Sequence, residues 1–159
     1  MRNNTIRLDE LMPLIRERLA AGESVCFSPH GTSMLPMLKD GRDQVILSPL
    51  PSELKKYDLP LYRRENGQYV LHRIVKVKDD YTCMGDNQFV PEKGLRHDQM
   101  IAVVTSFIHK GREYSTVCMR YRMYCRFWCA VRPLRHFVKR VHGVLGRIKK
   151  FSREFTKRT

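Results

Sequence analysis

Three short segments hold side chains that can do chemistry together. In Gly31-Thr32-Ser33-Met34-Leu35-Pro36 a serine stands between a glycine and an apolar pair that ends in proline. A serine on such a bend can be a nucleophile, with its own N–H facing a developing oxyanion. The same residues also make an ordinary turn leaving a strand. In Leu71-His72-Arg73-Ile74-Val75 a histidine lies in an alternating run, sharing a face with Val70 and Ile74. Half-buried imidazole stays neutral near pH 7, as a general base must, although a histidine on an apolar face is more often a satisfied core residue. In Met84-Gly85-Asp86-Asn87 the residue types favour a tight turn, and Asp86 is placed to orient a histidine. The chemistry these residues suggest is acyl transfer, with Ser33 as nucleophile, His72 as base and Asp86 or Glu92 behind it.

Positioning such a set takes a folded domain. The chain has 159 residues, 42% of them apolar, enough for a core. Leu8, Leu11, Ile15 and Leu19 fall at helical spacing, with Gly22 as a stop. Extended runs follow at Val25–Phe27, Gln44–Leu47, Leu59–Arg63, Gln68–Val77, Tyr81–Met84 and Ile101–Ile108, rich in Val, Ile, Tyr and Phe. Turn-forming pieces separate them, among them Ser48-Pro49-Leu50-Pro51 and Lys78-Asp79-Asp80, and Asn66-Gly67 between two runs is a strong hairpin signal. The expected fold is mostly β, with an N-terminal helix and C-terminal basic amphipathic helices.

Charge divides the chain. Of a formal net charge of +14, residues 1–117 hold 17 basic and 15 acidic side chains, whereas 118–159 hold 13 basic residues and one acid, Glu154. The expected organisation is a balanced catalytic domain over 1–117 and a basic helical tail over 118–159. In that tail Leu134, Phe137, Val138, Val141, Val144, Leu145, Ile148, Phe151 and Phe155 fall within an arc of about 140° on an ideal helix. Tyr121, Tyr124, Phe127, Trp128 and Val131 share a face of an earlier segment. Basic faces beside interfacial aromatics describe helices lying in a membrane surface, each Lys or Arg contributing roughly 1 kcal/mol near anionic lipid. Tyr121, Tyr124, Trp128, Phe137, Lys139, Arg140, Lys149 and Lys150 are therefore expected to touch an anionic membrane. The alternative is that the apolar stripe packs on the β domain. Nucleic acid ranks last as a partner, for want of a reading motif.

Five cysteines is an odd number, with no zinc-ligand spacing, and Cys26 and Cys83 read as small core residues. No metal or cofactor is expected. No apolar run approaches the ~20 residues of a transmembrane helix, and the start of the chain does not read as a secretory signal. A cytoplasmic location, peripheral on the cytoplasmic face of the membrane, is the expectation.

Singly each motif is weak, but their order is distinctive. Gly31 to Pro36 backed by Gly41 to Leu47, then Tyr57-Asp58-Leu59-Pro60-Leu61-Tyr62, then His72-Arg73-Ile74-Val75 followed by Gly85-Asp86-Asn87 together resemble the type I signal peptidase superfamily, which includes the LexA-type self-cleaving repressors. The likeness runs from about Phe27 to Val104. It implies a signal-peptidase/LexA-like β fold and a serine peptidase acting through an acyl-enzyme on an extended leader- or signal-type peptide. Ser33 matches the nucleophile. His72 stands where most bacterial members carry a lysine, as in the endoplasmic-reticulum branch. The catalytic set is then Ser33, His72 and Asp86, with Gly31, Thr32 and Met34 contacting the oxyanion or substrate. Gly31 replaces a serine that assists the oxyanion in some relatives, which leaves that role to backbone N–H groups. Two rival readings are a catalytically inactive peptide- or lipid-binding adaptor and a nucleic-acid-associated regulator.

Overall fold

The computed structural model describes residues 8–138. Helix α1 spans Leu8–Ala20, and Met12, Ile15 and Leu19 form its buried stripe, with Leu8 and Leu11 at the margin. The following strands are β1 (Val25–Phe27), β2 (Gln44–Pro49), β3 (Pro60–Arg63), β4 (Tyr69–Leu71), β5 (Arg73–Val77), β6 (Tyr81–Met84), β7 (Glu92–Leu95), β8 (Met100–His109) and β9 (Arg112–Ser115). A single 3-10 turn, His97–Gln99, precedes β8. Helix α2 covers Met119–Ala130, and a second C-terminal helical stretch occupies 132–138. The architecture is thus mixed, with antiparallel sheets between an N-terminal helix and two C-terminal ones.

The strands form two sheets. The larger runs β1-β2-β8-β3-β4, with β9 also paired to β8; the smaller is β5-β6-β7. All described pairings are antiparallel. The turn between β3 and β4 is built as its sequence suggests. Gly67 takes φ +87°, a left-handed conformation cheap for glycine, and the Asn66 side chain accepts the Gln68 N–H at 3.1 Å.

The run expected as one strand from Gln68 to Val77 is broken. It belongs to the larger sheet up to Leu71 and to the smaller one from Arg73, and His72 is the single residue between them. Strands β7 and β9 add to the expected set. Pro49, expected in a turn, ends β2.

Two cores follow from this division. One lies between α1 and the larger sheet and holds Met12, Ile15, Leu38, Val45, Leu47, Leu61 and Val104; the other joins Leu54, Tyr62, Ile74, Cys83, Leu95 and Met100. Strand β3 is buried on both faces, since Leu61 enters the first core and Tyr62 the second.

A buried charge pair fastens α2 to this body. Arg73 and Asp86 are both 0% exposed. Arg73 Nε and Nη2 bind the two Asp86 oxygens at 2.8 and 2.7 Å. The remaining guanidinium hydrogens go to Tyr121 Oη and Cys125 Sγ, both at 2.8 Å, and to Met37 Sδ at 2.9 Å. Tyr124 Oη donates to Asp86 Oδ2 at 3.3 Å, and Trp128 Nε1 donates to the Asp86 carbonyl at 2.9 Å.

The expectation that Tyr121, Tyr124 and Trp128 meet a membrane is therefore corrected. They turn inward, because a buried guanidinium and carboxylate need hydrogen-bonding partners that lipid does not supply. Phe137 is exposed. Lys139, Arg140, Lys149 and Lys150, with the apolar stripe beyond Val138, lie outside the described residues. No helix among the described residues is long and apolar enough to cross a membrane.

Removing one partner of such a pair strands the other charge. Asp86→Ala is expected to lower unfolding free energy by about 3–5 kcal/mol. Asp80→Ala, at an exposed turn, should stay within about 0.5 kcal/mol of the parent. Urea titration of both variants checks the contrast.

Candidate active site

Ser33 and His72 open onto one pocket. It has a volume of about 220 Å³, and its walls include His30, Gly31, Met34, Tyr69, Leu71 and Gln88. Ser33 is half-buried on the turns that follow β1, and His72 is 1% exposed.

Backbone contacts hold the serine segment. The Asn87 N–H donates to the Ser33 carbonyl at 2.8 Å, and Asn87 Nδ2 donates to the Thr32 carbonyl at 3.2 Å. The loop after β6 therefore contacts the serine segment through Asn87.

Gly85 lies in the gap. A Cβ there would fall 2.6 Å from the Ser33 carbonyl oxygen and 3.1 Å from His72 Nε2. Only a residue without a side chain lets these three groups approach so closely. No hydrogen bond links the Ser33 hydroxyl to His72 in this structure. The pocket brings the two together, and the proton-transfer contact is not formed.

The far side of the imidazole is anchored. His72 Nδ1 lies 3.1 Å from Glu92 Oε1 and 3.2 Å from Tyr62 Oη. Nδ1 thus meets both a carboxylate and a phenol hydroxyl, and Nε2 lies on the Gly85 side, 3.1 Å from where a Cβ of that residue would stand. Arg64 in turn grips Glu92, with Nε 2.8 Å from Oε2 and Nη2 paired to Oε1. Of the two carboxylates considered as orienters, Asp86 is bonded to Arg73, and Glu92 is the one beside the ring. Strand β7 carries Glu92 across from β6 to reach the ring.

Electrostatics suit a base. Burial is the largest influence on His72 and holds it below its ordinary 6.5; Glu92 pushes it up and Arg64 pushes it down again. Burial also pushes the Glu92 carboxyl up, but Arg64 and Tyr62 outweigh it, and the group stays below the usual glutamate value. Burial, with Glu92 beside it, raises the Tyr62 phenol far above its normal range, so it remains protonated.

The expected oxyanion and substrate contacts divide. The Gly31 N–H donates to Asp40 Oδ2 at 3.0 Å, so it is committed elsewhere, although Gly31 lines the pocket. His30, expected as a plain loop residue, lines the same wall and pairs with Asp40 at 2.8 Å. Met34 is 5% exposed and belongs to the first core while touching the pocket. Thr32 is outside the pocket lining, and its carbonyl serves Asn87. His97, expected to be solvated, meets Tyr81 Oη at 3.2 Å.

The thiols offer no competing nucleophile at this site. Cys83 is fully buried and its thiol is pushed up to about 12 by burial first and Glu92 second. Cys125 sits under Arg73. Among the described residues, no group of three or more His, Cys, Asp or Glu side chains is arranged to hold a metal ion.

Comparison of the chain with family models, curated proteins and solved structures gives no match.

Two outcomes follow from this geometry. In an NMR titration the His72 ring should protonate below pH 6.5 in the parent. Glu92→Gln should move it lower still, because the upward influence is lost and burial remains, whereas Arg64→Ala should move it upward. Gly85→Ala should displace the Asn87 loop from Ser33, read as faster exchange of the Asn87 amide hydrogen and loss of stability.

Proposed function

We propose that this protein is a serine endopeptidase of the signal-peptidase type, and that its sheets are a version of the signal-peptidase/LexA-like β fold. The observation that carries the reading is the orientation of His72. Its Nδ1 lies against Glu92 and Tyr62, its Nε2 lies on the Gly85 side, and the residue lines the same pocket as Ser33. A serine and a histidine on one pocket, with a carboxylate beside the ring, are the groups a serine peptidase uses.

In the proposed cycle Nε2 takes the Ser33 proton as Oγ bonds to the scissile carbonyl carbon. The Glu92 carboxylate stabilises the imidazolium that forms. The imidazolium then protonates the leaving amine as the C–N bond breaks. Water, deprotonated by the same nitrogen, then attacks the acyl carbon, and the proton passes to Ser33 Oγ as the ester C–O bond breaks. With the Gly31 N–H committed to Asp40, backbone donors nearer the nucleophile serve the oxyanion. Closing the Ser33–His72 contact is the step left to substrate binding.

The substrate in this reading is an extended leader- or signal-type peptide. Strands β1 and β4 are the outer members of the larger sheet. The residues just after β1 line the pocket, as do Tyr69, Val70 and Leu71 of β4. Unpaired backbone along such edges accepts an added strand, with side-chain pockets giving selectivity.

A second reading, a peptide-binding adaptor without hydrolytic activity, draws on the missing Ser33–His72 hydrogen bond. One experiment separates the two. The peptidase reading expects a serine-directed phosphonate to label Ser33 in the intact protein, with labelling abolished in Ser33→Ala and reduced at least about a hundredfold in His72→Ala. A folded parent that takes no label, or labelling indifferent to His72, favours the adaptor.

A further inference from the structure

Helix α2 has a second face, opposite the one held by Arg73 and Asp86. Met119, Met123 and Phe127 follow one another at intervals of four, so they form a ridge along the helix. They are 72%, 62% and 64% exposed. Arg122 and Arg126 flank the ridge on one side and Arg120 on the other, all three exposed. Beyond Pro133 the exposed apolar series continues with Leu134 and Phe137. No aspartate or glutamate occurs from residue 118 to 138, and the arginines of the ridge form no ion pair among the described residues.

Single exposed apolar residues are ordinary, but an aligned series with one sign of charge on both sides is not. The fold does not use this face, since the inward one already supplies Tyr121, Tyr124, Cys125 and Trp128 to the buried pair. The ridge is convex, so it suits a soft, flat surface better than a rigid protein surface. Guanidiniums on both flanks can reach past the apolar side chains to a plane of negative headgroups. Basic residues from Lys139 to Arg158, opposed by Glu154 alone, add to the same attraction.

We propose that the outward face of α2 docks this protein on an anionic membrane surface, with Met119, Met123 and Phe127 entering the headgroup boundary and Arg120, Arg122 and Arg126 binding lipid phosphates. The proposal does not depend on the peptidase reading. It reverses the orientation expected from the sequence, because Trp128 stays in the protein, 3.6 Å below the Arg135 guanidinium.

Co-sedimentation of the full chain with vesicles tests it. The parent should bind mixed phosphatidylcholine–phosphatidylglycerol vesicles at low salt, bind pure phosphatidylcholine vesicles far less, and dissociate as salt rises. Met123→Glu/Phe127→Glu should weaken binding about tenfold or more with an unchanged melting temperature, since both positions are exposed. Arg120→Gln/Arg122→Gln/Arg126→Gln should weaken it on the anionic vesicles. The fluorescence of Trp128, the single tryptophan, should keep its emission maximum on binding. The proposal is overturned by equal binding of the parent and the Glu variant, by equal binding to neutral vesicles, or by a blue shift placing Trp128 in lipid. A parent dimer that the Glu variant converts to monomer would also overturn it, assigning the ridge to a second copy of the chain.

Discussion

The Arg73–Asp86 pair sets the rest of the structure. Each of its members is the chain neighbour of a residue beside the Ser33 segment or the pocket: Arg73 follows His72, and Asp86 follows Gly85. The pair ties the start of β5 to the turn after β6, and so draws residues 72 and 85 together beside it. The antiparallel register, with Arg73 opposite Met84, holds that alignment. Gly85 then meets His72 Nε2 on one side and the Ser33 carbonyl on the other. Two buried charges are costly to desolvate. Here the guanidinium and carboxylate are satisfied by each other and by tyrosine, thiol and thioether groups, so the cost is met by specific bonds that also locate α2.

Much of this fold is legible in the sequence because its signals are local. The α1 stripe, the Asn66-Gly67 turn and the runs at β1, β6 and β8 each follow from residues near one another. The break at His72 does not. Strands β4 and β5 have the same two-residue period, so alternation passes through residue 72 unchanged while the partner strand changes. Strand β7 is equally hidden. Glu92-Lys93-Gly94-Leu95 has the composition of a loop, and only pairing with β6 makes it a strand.

The same distinction explains the site. Ser33 and His72 can be picked out from local context, and the structure brings them to one pocket. The carboxylate beside the ring depends on which acid crosses from another strand. Asp86 is nearer to the Gly85 motif in sequence, yet Arg73 claims it, and Glu92 comes to Nδ1 along β7. The aromatic face of α2 shows a parallel case. An amphipathic pattern identifies a face that avoids water, but not what covers it. That answer lay in Arg73, whose buried guanidinium calls for hydroxyl and thiol partners that α2 supplies.

The passage of the chain from one sheet to the other through residue 72 alone leaves no slack at that point. At this crossing, a change in the angle between β4 and β5 falls on the two backbone torsions of the histidine itself. Its ring is at the same time tethered to both assemblies, through Tyr62 of the larger and Glu92 of the smaller. The imidazole is thus a pivot pin rather than a side chain mounted on one wall. The direction of its Nε2 records the relative attitude of the two halves of the fold.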